Sequence, residues 1–298
     1  MLTREKRIYR VTIAGAVLNV LLSVAKFIAG IVGKSTAMTA DAVHSLSDLV
    51  SDVIVVAMVA VSSKGRDKDH DYGHGKFETL ATACVSLLLI VVGAKLLSSG
   101  VGKIKDYMGG TPIEAPGKIA LWAAIISILT KEFLYQWTAR VGKAVSSSAV
   151  IANAWHHRTD ALSSIGSALG IGCAILLGGK WTILDPLVGC AISIFIFVVA
   201  VKMAIPALHE LTEGSLPDEI EDEICTVIQS VEGVSNVHAL KSRKNGTHII
   251  IEAHLVVDPE MSVADAHALT EIAEQRLRDR FGAEMQISLH IEPSLEAK

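Results

Sequence analysis

Cysteine is scarce in this chain, and neither sign of charge dominates. The four cysteines among 298 residues form no C-x-x-C pair, and three of them lie in apolar segments. This spacing argues against a disulfide framework and favours packing as their role. A net charge of −4 gives no basis for nucleic-acid binding. The chain also lacks His-Glu-x-x-His, which argues against a hydrolytic zinc site of that kind.

Long apolar runs, by contrast, are abundant. Hydrophobic residues make up 51% of the chain, and the mean hydropathy is +0.46. A run of about 20 apolar residues is long enough to cross a bilayer. We therefore predict a polytopic α-helical membrane protein rather than a globular enzyme. The six predicted spans cover residues 8–32, 38–62, 78–102, 115–140, 147–178 and 183–208.

The loops between these spans carry unequal positive charge. Ten Lys and Arg residues lie on the side of the N-terminus, and five lie on the other side. Short loops rich in Lys and Arg stay in the cytosol. Both termini are therefore predicted to be cytosolic, with the protein in the cell (inner) membrane.

The composition changes after Pro206, where the chain becomes polar. A helix to about residue 230, a helix over 262–280 and three strands are predicted, and Asn245-Gly246 is a strong hairpin signal between the first two strands. The order αββαβ predicts a three-stranded sheet covered on one face by two helices. The chain thus divides into a membrane domain, 1–212, and a cytosolic domain, 213–298. The predicted strands are 235–243, 247–257 and 284–292.

Histidine and glutamate recur on one face of these strands. His254, His290 and Glu292 alternate with apolar residues, so they are expected on the open face of the sheet. The parity of the first strand is unclear, so His238 joins them only provisionally. Such residues on a surface are individually ordinary, but their convergence favours a metal site, which could lie at a dimer interface.

A polar stripe interrupts the second apolar run. Asp41, His44, Asp48 and Asp52 follow one another at intervals of three, four and four, which places them on one helical face. Ionisable groups are costly in a bilayer unless they face a partner, a cavity or an ion. Polar residues satisfied within the bundle would produce the same stripe.

A second His-x-x-x-Asp pair, His156 and Asp160, lies in the fifth span. Facing His44 and Asp48, it would complete two imidazoles and two carboxylates, a set that suits tetrahedral zinc. A catalytic zinc site is the competing interpretation, but such sites usually keep three protein ligands and an open water position.

The charged loop after the second span contains a third group of ligand types. Asp67, His70 and His74 are separated by three and four residues. A loop metal site is one interpretation, and a solvated loop with turns at Gly73 and Gly75 is the other.

Several further charges fall inside the spans. Snorkelling or structural pairing accounts for them, and Asp41 is expected to pair with one of the lysines, although the sequence does not show which. These residues are Lys26, Lys95, Lys131, Glu132 and Lys202.

Taken together, the six spans, the two His-x-x-x-Asp motifs, the loop Asp-x-x-His-x-Tyr-Gly-His-Gly-Lys and the αββαβ end resemble the cation diffusion facilitator family. The resemblance covers nearly the whole chain. It implies a homodimeric antiporter that exports a divalent metal, most simply Zn²⁺, from the cytosol in exchange for protons. Iron and cadmium remain alternatives.

The resemblance also assigns ligands. It implies a transport site at His44, Asp48, His156 and Asp160, and a loop site at Asp67, His70 and His74. A cytosolic site would use His238, His254 and His290, with Glu292 where the usual bacterial residue is Asp, and His267 matches a further ligand position. Lys76 and Glu213 match a charge interlock between protomers.

Two other functions remain open at this point. A membrane metalloenzyme would use the intramembrane zinc to activate water, with Asp52 as base. A metal sensor would use the spans only as an anchor. A zinc-dependent proton flux assay in vesicles distinguishes these two functions from the exporter.

Overall fold

The computed structural model describes residues 4–62, 64–144, 148–246, 248–282 and 285–294. The side chain of Asp52 lies outside the described residues, so its predicted place in the polar stripe has no structural counterpart here. The helices and strands, in chain order, are α1 (Arg4–Val32), α2 (Thr36–Ser62), α3 (Lys76–Met108), α4 (Lys118–Ala144), α5 (Ser148–Leu177), α6 (Leu184–Leu211), α7 (Asp218–Gln229), β1 (Asn236–Asn245), β2 (His248–Val257), α8 (Val263–Phe281) and β3 (Met285–Pro293).

The six long helices confirm the predicted helical membrane protein. Within the described part of the chain, five of them are long and apolar enough to cross a membrane; α2, some of whose side chains are not described, is not among the five. The largest difference from the predicted bounds is in α3, which continues to Met108 rather than ending near residue 102. Its last turns carry Lys103 and Lys105, polar residues that a hydropathy window leaves out.

The helices of the first compact unit, Met1–Val53 and Val85–Lys202, pack through small residues. Helix α4 contacts both α1 and α5. Small side chains let helix backbones approach closely in a bilayer, where apolar burial against lipid gives no net drive. The residues of α4 that are buried recur every three or four positions and are Ala120, Ala124, Ser127, Lys131, Leu134, Thr138 and Gly142.

The second compact unit, Ile54–Cys84 and Met203–Lys298, contains the sheet. Strand β2 is central, antiparallel to β1 and parallel to β3. Helices α7 and α8 pack on one face, where Ile224, Leu255 and Leu277 are fully buried. The predicted αββαβ order and the hairpin at Asn245-Gly246 are confirmed; Gly246 has a φ of 63°, which glycine adopts without strain.

Strand β1 contains an irregularity that the sequence pattern does not reveal. Its register with β2 shifts between His238 and Lys241, and Ala239 has a φ of 52°. An extra residue in a strand reverses the inward and outward alternation beyond it. Because of this bulge, the sequence alone does not show which side chains of β1 lie on which face of the sheet. The observed pairing places His238 opposite His254.

Candidate metal-binding sites

The first cluster lies between helices α2 and α5 of the first unit. One ligand atom each from Asp48, His156 and Asp160 lies within 4.8 Å of the others. On α5, His156 Nδ1 is 3.8 Å from Asp160 Oδ1, because residues four apart stack on one helical face. The Asp160 side chain is 11% exposed. Two sequence-distant segments thus supply an imidazole and two carboxylates to one point.

His44 lies beside this cluster rather than within it. It is one turn before Asp48 on α2, with its Nε2 3.8 Å from Asp48 Oδ2. Its ring also meets the ring of Phe195 edge-on, with centroids 5.6 Å apart. Of the four residues predicted for a transport site, the structure therefore groups three and leaves the fourth adjacent to Asp48.

A lysine also reaches the cluster. Lys131 of α4 donates from Nζ to Asp160 Oδ2 at 2.6 Å, and its side chain is 4% exposed. The sequence showed a charge inside a span but not its partner, because partner choice depends on which helices are neighbours. The periodic small residues of α4, which mark its packed face, are the signal that would have placed Lys131 inside the bundle.

The partner of Asp41 is Lys26. Lys26 Nζ lies 2.8 Å from Asp41 Oδ2, and the two side chains are 1% and 0% exposed. Lys26 also donates to Ser164 Oγ at 2.8 Å and to Ser45 Oγ at 3.2 Å, and Ser164 donates to Asp41 at 3.1 Å. These bonds tie α1, α2 and α5 together. Asp41 therefore belongs to a structural network and not to the ligand cluster.

The loop cluster forms in the second unit. Asp67, His70 and His74 each offer an atom within 4.8 Å of the other two. His74 Nε2 lies 3.4 Å from Asp67 Oδ2, while its Nδ1 is 3.3 Å from the carbonyl oxygen of Gly65. An Nδ1–H donated to that carbonyl leaves Nε2 as the free acceptor, the arrangement common to histidines that bind metals.

Backbone hydrogen bonds hold Asp67 in its charged form. Its Oδ1 accepts from the N–H of Asp69 at 3.0 Å and from the N–H of His70 at 2.8 Å. These bonds, that of Asp69 first, lower the pKa of the Asp67 carboxyl below its ordinary value. The carboxylate is therefore available as a ligand throughout the neutral range.

The third cluster lies on the open face of the sheet. Glu292 on β3 lies 3.2 Å from His238 Nε2 on β1 and 2.9 Å from His254 Nδ1 on β2. The three atoms that could bind a metal lie within 4.8 Å of one another. Because the central strand carries His254 between its two neighbours, all three strands contribute one residue each.

The two remaining predicted residues lie farther out. His290 Nε2 is 3.9 Å from Glu292, and its ring centroid is 4.9 Å from that of His254, so it borders the cluster. His267 lies on α8, 70% exposed and 3.6 Å from Glu271. Among the described residues, neither belongs to a compact group of three metal-ligand types.

The two residues predicted for a charge interlock between protomers pair with each other within one chain. Lys76 pairs with Glu213, and Arg243 Nε also reaches Glu213 at 3.0 Å. Glu213 has a φ of 62°, so the backbone turns sharply at the residue that receives both cations. The pairing between protomers stays a prediction.

A bundle of long apolar helices with a carboxylate–histidine cluster between two of them, together with a small α+β domain, is typical of a membrane metal-transport protein. The chain belongs to the cation efflux family, the cation diffusion facilitators. The model of the cation efflux transmembrane domain matches residues 12–212, and that of the cation efflux protein cytoplasmic domain matches residues 216–294. The protein is therefore a metal cation efflux transporter and not an enzyme.

Curated relatives over nearly the whole chain carry names of metal tolerance and metal efflux. Metal tolerance protein C1 of Arabidopsis thaliana is 34% identical over 94% of this chain, which spans 61% of that protein's length. The manganese efflux system protein MneP of Bacillus subtilis is 28% identical over 98% of both chains. Among solved structures, the zinc form of CzrB is 34% identical, covers 28% of this chain and 96% of its own, and has a TM-score of 0.26.

Proposed function

We propose that this protein exports Zn²⁺ from the cytosol in exchange for protons, through His44, Asp48, His156 and Asp160. The observation that carries the proposal is the convergence of Asp48, His156 and Asp160 to within 4.8 Å from two separate helices. Groups of this kind inside a spanning bundle are costly unless they face a partner, a cavity or an ion, and three ligand types that converge from two helices suit an ion. The metal here is cargo, so the cluster has to bind it and then release it.

Zinc is the cargo that the donor set favours. Two imidazoles and two carboxylates match the tetrahedral nitrogen and oxygen coordination of zinc. An oxygen-rich set would suit manganese better, and His44 and His156 supply nitrogen instead. Fe²⁺ and Cd²⁺ are the alternatives, and the name of MneP makes manganese a necessary comparison. A transport panel of zinc, cadmium, iron, manganese and cobalt ranks them directly.

Proton exchange follows from the same donor atoms. An imidazole binds metal only when neutral and a carboxylate only when ionised, so metal and protons compete for one site. Histidine has an ordinary pKa near 6.5, which places this competition in the physiological range. Metal loaded on one side of the membrane would be displaced by protons on the other.

The proposal also covers the orientation of the chain in the membrane and the roles of its two domains. The Lys and Arg bias of the loops supports cytosolic termini, and the protein would lie in the inner membrane. Residues 1–212 would form the membrane domain, and residues 213–298 a cytosolic domain that binds metal and joins two copies into a homodimer. The loop cluster and the sheet-face cluster would hold resident zinc ions that raise transport as cytosolic metal rises.

Flux in reconstituted vesicles tests the proposal. With an imposed pH gradient, wild-type protein should move zinc and produce a proton movement in the opposite direction, each followed by a lumenal dye. Asp48→Ala should abolish both movements while the purified protein keeps its helical circular dichroism. Zinc flux that persists in the Asp48→Ala variant would refute the site, and zinc flux without a proton counter-movement would refute the antiport.

A further inference from the structure

The pair of Lys131 and Asp160 brings a lysine ammonium to a site proposed for a divalent cation. The ammonium lies 2.6 Å from Asp160 Oδ2, and both side chains are almost fully buried. The other carboxylate oxygen, Oδ1, faces His156. One oxygen of Asp160 thus bonds a protein cation while the other points to a candidate metal ligand.

We propose that Lys131 is a tethered counter-charge that competes with the transported metal for Asp160. The inference rests on the proposed function of the cluster. A zinc ion lies about 2.0–2.2 Å from a carboxylate oxygen. An ion that shared Oδ2 with the ammonium would therefore lie within about 5 Å of it. Two positive charges at that distance repel strongly beside Lys131 and Asp160, whose side chains are only 4% and 11% exposed.

The competition has two consequences for transport. When a metal binds, the ammonium must either move away from Asp160 or stay close to another positive charge. Either outcome weakens the affinity of the site for the metal and favours release of the cargo. When the metal leaves, the flexible four-carbon stem of lysine lets the ammonium return to Asp160, so the carboxylate does not remain an unpaired charge inside the bundle. A site that binds too tightly cannot turn over, and Lys131 sets that balance by charge alone.

The buried pair of Lys26 and Asp41 provides the comparison within the same unit. Its bond length, 2.8 Å, is nearly the same, and its side chains are buried more deeply, at 1% and 0% exposure against 4% and 11%. Its carboxylate also accepts from Ser164 and belongs to no group of ligands among the described residues. A purely structural role therefore predicts similar behaviour for the two lysines. A counter-charge role predicts that only Lys131 controls metal affinity.

Zinc binding and flux by the full-length protein separate these roles. Lys131→Gln keeps an N–H donor for Asp160 but removes the charge, and Lys131→Met removes both. Each should tighten the zinc Kd at the transport site by about tenfold or more, a modest effect for a like charge this close. The maximal zinc flux should fall together with KM, because release becomes slower. Lys131→Arg, which keeps the charge, should stay near the wild-type Kd.

The control is Lys95→Met, which removes an exposed lysine from the spanning helix α3 and should leave the Kd and the flux unchanged. A zinc Kd that is unchanged or weaker in the folded Lys131→Gln variant would overturn the proposal. An equal tightening in Lys26→Met would overturn it too, since the effect would then be general to the bundle. Flux that persists in Asp48→Ala would instead sink the proposed function, so the two failures are distinguishable.

Discussion

The helix-bundle cluster and the sheet-face cluster use the same chemistry but differ in the burial and the partner of one carboxylate. Both combine histidine with carboxylate within 4.8 Å. In the bundle, Asp160 is 11% exposed and bonds a buried lysine. On the sheet, Glu292 is 35% exposed and its ion pairs in the described part of the chain run to His238, His254 and His290. A metal on the sheet therefore displaces no lysine ammonium from Glu292. Under the proposed function, this difference would suit the sheet to a resident ion and the bundle to a transient one.

The most severe test of this comparison removes the carboxylate from each cluster in turn. Substituting a residue that only hydrogen-bonds to a metal ligand usually costs roughly 10–100-fold in affinity or activity. Asp160→Ala should lower zinc flux in vesicles by more than that, because it removes a proposed ligand itself. Glu292→Ala should leave flux at saturating zinc within about twofold of wild type. If the two variants lost flux equally, the assignment of cargo to one cluster and resident ion to the other would fail.

The second test measures how much the buried pair of Lys26 and Asp41 contributes to the stability of the protein. Lys26→Met should destabilise the protein by about 3–5 kcal/mol, because Asp41 is left as an unpaired charge in a fully buried position. Thermal unfolding in detergent measures the change. The matched control is Lys34→Met, whose pair with Glu114 has the same 2.8 Å separation but is mostly exposed. A large loss of stability in the control would show that burial is not the deciding factor.

The third test concerns the sheet alone. His254→Ala should remove one zinc from the stoichiometry of the full-length protein, since His254 is the central member of that cluster and lies 2.9 Å from Glu292. Equilibrium dialysis with zinc measures the stoichiometry. His267→Ala should retain it, because His267 is 70% exposed and lies outside the compact group. Loss of zinc from both variants would extend the site to α8.

The smallest expected effect is the pH dependence of the stability contributed by the exposed pair of Lys34 and Glu114. The hydrogen bond and charge of Lys34 lower the pKa of Glu114, and Glu114 raises the pKa of Lys34. Between pH 4.5 and neutral pH, the pair of Lys34 and Glu114 should therefore make a small stabilising contribution. This contribution should be lost as the pH falls through the lowered pKa of Glu114. Comparing the Tm of wild type and Glu114→Gln at neutral and acidic pH measures it. A difference that grew on acidification would contradict the sign.

Much of the second unit could be predicted because its signals are local. Period-two alternation in β2 and β3, the turn at Asn245-Gly246 and the apolar faces of α7 and α8 are all properties of short segments. The bulge at Ala239 was not predictable, since it depends on how β1 pairs with β2 rather than on any residue pattern within β1.

In the bundle, the sequence showed which side chains are costly but not how they pair. His-x-x-x-Asp spacing predicted that His156 and Asp160 share a face, and the structure has them 3.8 Å apart. The same spacing could not show that Lys26 would pair with Asp41, or that Lys131 would reach Asp160, because each pair joins helices distant in the chain.

By itself, the sequence determined the number and type of the elements, the helical face that carries Asp48 and the family to which the chain belongs. Those properties follow from hydrophobic period, helix pitch and turn chemistry, which act over a few residues. Only the tertiary structure decided which cation neutralises which carboxylate. The pairing of each carboxylate depends on the contacts of α4 with α5 and of α1 with α2. A buried charge needs a partner, and the neighbouring helix determines which side chain is within reach.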